Sequence, residues 1–195
     1  GLFAMRDGEP VELSEGDPVE VGDRLFLRLQ GDEPFHLYVF DEDDTGKCFT
    51  LFPLTAQGDA NPLGAGVPHE LPRARGGERL YWKVDTTGGG GETIFVLASR
   101  GPLELAEALR RVIPEASAEG GVRLLDLEDA ERGSLAVALH RGIGSLATGD
   151  GTAEPQGASA APPDLPDIGR LADALAPLGE RAPPGVFFRA IRLAN

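Results

Sequence analysis

The chain has 195 residues, 41% of them hydrophobic, which is enough for a core and too many for a disordered polypeptide. Its formal net charge is -14 with a pI near 4.6, a balance that repels nucleic-acid phosphates and anionic lipid head groups. No apolar run approaches the roughly 20 residues of a spanning helix, and the single cysteine, Cys48, excludes an internal disulfide.

The 27 glycines and 16 prolines predict many turns and short elements rather than long helices. The densest basic stretch, Arg73, Arg75 and Arg79, is too sparse for a nucleic-acid surface. A basic partner, a cation or a neutral ligand suits the charge better. No signal peptide is visible, and a chain that opens on Gly1 is expected to be a piece of a larger protein. The compartment is not fixed by the sequence; a cytoplasmic setting is favoured over a secreted one.

In chain order, the first two-thirds alternates with the period of half-buried strands. Leu25, Leu27 and Leu29 alternate with Phe26, Arg28 and Gln30. Leu37 and Val39 alternate with His36, Tyr38 and Phe40, and Leu80, Trp82 and Val84 with Tyr81 and Lys83. Ile94 to Leu97 is apolar at every position, as in a strand buried on both faces. His36–Phe40 and Lys47–Phe52 flank Asp41–Gly46, which predicts a hairpin. Gly-Asp and Gly-Gly breakers separate the runs, and Gly88–Gly91 is expected to join two strands.

The period then changes. Pro102 opens a helix, Leu105, Leu109, Val112 and Ile113 give it an apolar stripe, and Pro114 ends it. A second helix is expected over 134–141, and a third from Asp167 to about Leu178. Between them, 149–166 has the composition of a mobile linker. Residues 186–193 form a last strand, with Phe187, Ile191 and Leu193 on one face, expected to return to the main sheet. The fold class is therefore mainly β (α+β): an antiparallel β-sandwich or partly open barrel with two or three short helices in the C-terminal half. Residues 1–195 are expected to be a single domain, with 1–114 its β-rich core and 115–195 a C-terminal extension.

Few groups invite chemistry. Asp41, Asp43 and Thr45 before Gly46 match the opening of a calcium loop, but Phe52 stands where the bidentate glutamate belongs. A solvated hairpin turn explains the same residues, so calcium is expected weakly at most and no other cofactor is implied. Cys48 would need a histidine base from His36, His69 or His140. Pairing Phe40 with Lys47 would put Cys48 and His36 on opposite faces. A core thiol is the expected role. Gly144-Ser145-Leu146 lacks the nucleophile-elbow pattern. The histidines have no zinc-ligand spacing, and the glycine run lacks a P-loop ending. Tyr38, Tyr81 and Trp82 could line a groove on one sheet face, against a packing default.

Several segments carry a resemblance. Leu37-Tyr38-Val39-Phe40, Asp44-Thr45-Gly46-Lys47 and Leu51-Phe52-Pro53 are followed in order by Asn61-Pro62-Leu63, Ala65-Gly66 and Leu71-Pro72. Gly91-Glu92-Thr93, Val96-Leu97-Ala98-Ser99 and Pro102-Leu103 complete the set, and Val21 to Leu25 precede it. Together they resemble the domain-of-unknown-function 4384 family over about half the chain. The resemblance implies a β-rich accessory module without catalytic residues, of a kind attached in bacteria to protein kinases, caspase-like peptidases and other signalling or envelope proteins. The expectation is a non-catalytic interaction or sensory module acting on a protein partner or a fused domain. Two alternatives stand beside it: a calcium- or glycan-binding envelope module, and a protease substrate or inhibitor exposing 149–166.

Overall fold

A computed structural model describes residues 1–55, 58–74, 76–84, 91–116 and 170–194. The expected helix over 134–141, the linker 149–166, His140 and the glycine run before Gly91 lie outside the described residues.

Two antiparallel sheets stack face to face as a sandwich rather than closing into a barrel. The first sheet holds β1 (Leu2–Arg6), β2 (Glu9–Leu13), β3 (Arg24–Leu29), β6 (His69–Leu71) and β7 (Trp82–Lys83). The order is β2-β1-β3, with β6 and β7 sharing the far edge of β3. The second sheet runs β5 (Cys48–Phe52), β4 (His36–Asp43), β8 (Glu92–Ser99) and β9 (Val186–Leu193).

The β1–β2 hairpin turns at Asp7 and Gly8, with φ of 52° and 84°. Two positive φ values in a two-residue loop are what a hairpin's twist demands, and an Asp-Gly pair supplies them cheaply.

The second sheet is covered on both faces, which explains the continuous apolar runs of β4 and β8. Leu37, Val39, Ile94, Val96, Ile191 and Leu193 face the first sheet. Tyr38, Phe40, Phe95 and Leu97 face two helices, α1 (Glu104–Val112) and α2 (Leu171–Glu180). Leu37 to Phe40 are all fully buried. At about 1.5–3 kcal/mol per large apolar side chain, these four residues alone hold β4 at the middle of three layers.

Several boundaries differ from those expected from sequence. β4 continues through Asp41 to Asp43, because each of these residues pairs with β8 (Asp41↔Ile94, Asp43↔Glu92) and a neighbouring strand overrides the weak strand preference of Asp and Glu. The buried face of α1 is Ala106 and Leu109, with Ile113 capping it; Leu105 and Val112 are only partly buried. α2 begins at Leu171 among the described residues and carries Pro177 in its last turns.

The edge strands are treated unequally. β5 is flanked by the chain leaving α1: the Thr50 amide donates to the Pro114 carbonyl at 2.7 Å and the Ala116 amide to the Thr50 carbonyl at 2.9 Å. Among the described residues β9 is flanked only at its end, where Gly16 and Val19 donate to the Arg192 and Ala194 carbonyls, both at 2.8 Å. By strand alternation the Phe188 and Ala190 backbone groups also point outward, and they have no partner among the described residues.

Candidate functional site

The residues singled out from sequence are mostly used by the fold. Cys48 lies opposite Glu42 rather than opposite Val39, because β4 runs on to Asp43 and the chain turns between Asp43 and Lys47. The expected separation of Cys48 and His36 onto opposite faces is thereby corrected: both project toward the helices. They still cannot meet, since Glu42 and His36 are six positions apart on β4, roughly 20 Å. Burial pushes the Cys48 thiol up to about 12, helped by Glu42 and Asp41, which disfavours the thiolate that a nucleophilic cysteine uses. His69 instead holds the Gly64 carbonyl at 2.8 Å through Nε2.

The acidic loop closes on itself. Asp43 Oδ1 accepts from the Thr45 amide (2.8 Å), the Thr45 hydroxyl (2.6 Å) and the Lys47 amide (3.0 Å). Asp41 sits on the other side of this turn's chemistry, in the sandwich face beside Ile94 and Phe49. Its Oδ1 is buried without a hydrogen-bond partner among the described residues. Burial, then the nearby Glu92 and Asp43, push the Asp41 carboxyl well above the usual range. Burial and Asp43 raise Glu92 as well. Among the described residues, no group of three or more His, Cys, Asp or Glu is arranged to hold a metal ion.

Nor do the three aromatics share a groove. Tyr38 is fully buried under α1, donating to Glu107 Oε1 at 2.9 Å and accepting the Leu103 amide at 3.3 Å. Trp82 packs against the core between the sheets. Tyr81 stands edge-on to Phe26 at 6.0 Å on the outer face of the first sheet. There Arg28 and Arg79 cover the Phe26 ring and share Glu70 as counter-ion, so that face satisfies its own charges.

What the sequence did not reveal is a cleft of about 290 Å³ at the open side of the sandwich. Its walls include Leu27 and Leu29 from the first sheet and Leu37, Val96, Ala98 and Ile191 from the second. Phe35 lines it too, its ring seated against Gly31, where an added Cβ would stand 2.6 Å from the ring. Phe187, 52% exposed, and Arg189 stand at the mouth on β9. A second hollow of about 360 Å³, between 99–103 and 184–186, is more open. Its one charged side chain, Arg100, is already paired with Glu33 at 2.7 Å.

The cleft lies between strands that two chain segments hold in place. The Asn61 side chain clamps the start of β4, accepting the Leu37 amide at 2.9 Å and donating to the Leu37 carbonyl at 3.0 Å. Asp44 fastens the far end of the second sheet, accepting the Gly91 amide at 2.6 Å and Arg192 at 3.1 Å.

Among the described residues, no helix is long and apolar enough to cross a membrane. The chain matches no curated protein and no solved structure at a significant level. Residues 18–102, the segment that carries β3 to β8 with the Asn61 clamp and most of the cleft's walls, match the family model of the domain of unknown function DUF4384, and over this segment the chain is similar to that family.

Proposed function

We propose that this chain is a non-catalytic recognition module of a larger bacterial signalling or effector protein, and that it binds through the cleft between its sheets. The cleft is the observation that supports the reading. Among the described residues, several groups that could react or ligate are used by the fold: Cys48 against the helix-side core, Glu42 and Tyr38 on the helices, Asp43 on its own turn. A recessed, largely apolar surface with a charged group at its mouth is the usual form of a ligand site.

A neutral fluorescent probe, N-phenyl-1-naphthylamine, tests this. It should bind the folded protein saturably at one site. Ala98→Trp, which fills the cleft, should abolish binding while the melting temperature stays within a few degrees. Binding that survives Ala98→Trp would count against the cleft. Turnover of a generic ester, peptide or phosphate substrate, abolished by one point mutation, would count against a non-catalytic role.

A further inference from the structure

Resting on the cleft as the binding site, we propose that its ligand is a small amphiphile, an apolar body of acyl or single-ring size bearing a carboxylate, with Arg189 as the residue that selects the acid.

The body is set by the walls. At about 290 Å³ the cleft is roughly twice the ~150 Å³ apolar cavity that accommodates benzene. Its lining is mostly aliphatic and aromatic, with Gly1, Arg28 and Gln30 beside Arg189, and includes no aspartate or glutamate. That is notable in a chain with 32 acidic residues, because an anion entering here meets no like charge on the walls.

The head is set by the register of β9. Arg189 pairs with Val96, between Phe187 opposite Ala98 and Ile191 opposite Ile94. It therefore projects from the same face as Ile191, toward the first sheet, and it lines the cleft. Its neighbour Arg192 is held by Asp44 at 3.1 Å, and Arg6, Arg28, Arg79, Arg100, Arg110 and Arg170 each have a carboxylate within 4 Å. Arg189 has no carboxylate or hydrogen-bond partner among the described residues. A guanidinium at the rim of an apolar cleft offers a planar, bidentate site to a carboxylate, and the low-dielectric walls strengthen the pairing relative to water. A cationic head would be repelled there, and an uncharged one would forgo the ion pair.

A charged side chain pointing inward on an edge strand can also simply block unwanted strand pairing, and the free Phe188–Ala190 edge makes that role physically available. The two roles separate in solution. Isothermal titration calorimetry with octanoate, octanol and octyltrimethylammonium on the wild-type chain should rank octanoate at least tenfold above octanol, with the cation undetectable. Arg189→Gln should bring octanoate down to the level of octanol and leave octanol unchanged. Ala98→Trp should remove both. Equal binding of octanoate and octanol, or octanoate binding untouched by Arg189→Gln, overturns the ligand class while leaving the cleft as a binding site. Self-association of Arg189→Gln without any change in octanoate affinity assigns Arg189 to edge protection and overturns the proposal. Absence of binding by all three probes overturns it too, and retained binding of the neutral naphthylamine would then show that the cleft itself stands.

Discussion

Glu42 and Leu171 are 129 residues apart in sequence, yet the Glu42 Oε1 accepts the Leu171 amide at 2.8 Å while its Oε2 accepts the Ala172 amide at 3.0 Å. A side chain from the central strand thus caps the N-terminus of α2, which has no side-chain cap of its own. Burial raises the Glu42 carboxyl, and the two amides and Arg170 oppose that rise. Glu42→Ala should cost about 1–2 kcal/mol, the scale of a lost cap, and loosen α2. Because Cys48 packs beneath that helix, its labelling by a thiol reagent should accelerate in the variant. An unchanged labelling rate would show that the capping contact does not hold the helix.

Tyr38 does the equivalent for α1. Its hydroxyl bridges Glu107 and the Leu103 amide beneath the helix; burial and then the Glu107 bond push the phenol up to about 12. Tyr38→Phe leaves the amide without its acceptor and should destabilise the chain by about 1–2 kcal/mol, read from the urea midpoint. A wild-type midpoint would mean that water replaces the hydroxyl at no cost.

Asp41 gives stability a pH dependence. Its folded pKa is raised well above the ordinary 3.8, so between those two values the folded state holds a proton that the unfolded chain has released. Stability from this site is complete below the unfolded pKa and is lost as pH rises through the folded one. Asp41→Asn should therefore unfold at higher urea than wild type at pH 8 and close to it at pH 4. The reverse ordering at pH 8 would indicate that the carboxylate is ionised and paired in the fold.

Gly31 seats Phe35. A methyl group there meets the ring at 2.6 Å and the Glu33 carbonyl at 3.0 Å, so Gly31→Ala must displace the ring, at about 1–3 kcal/mol as for other overpacked sites. Since Phe35 lines the cleft, the same variant should weaken probe binding more than Gly101→Ala, where an added Cβ meets nothing within 4 Å. Equal effects would separate Phe35 from the site.

Much of the second sheet was legible because its residues obey simple periodicities. Ile94 to Leu97 announced burial on two faces, and Val186 to Leu193 lies beside β8 as its alternation suggests. The β1–β2 hairpin is legible only at its Asp7-Gly8 turn, since two five-residue strands give little pattern around it. The end of β4 is not legible locally, because Asp41 to Asp43 have the composition of a loop and only their pairing with β8 makes them strand. The cleft was illegible for a different reason. It is lined by residues of two sheets that are far apart in sequence, and Arg189, which interrupts the apolar face of Phe187, Ile191 and Leu193, is its one signal in the sequence. The Glu42 cap could not be read at all, because nothing local in β4 names its partner in α2.

Backbone amide shifts, followed by NMR while a fragment mixture of small acids and neutral apolar molecules is added, test the account at its centre. Shifts concentrated at Leu29, Val96, Ala98, Arg189 and Ile191, with Cys48, Glu42 and Asp43 unmoved, are the expected result. Shifts gathered around Cys48 and the acidic turn, with the sandwich opening silent, would contradict it.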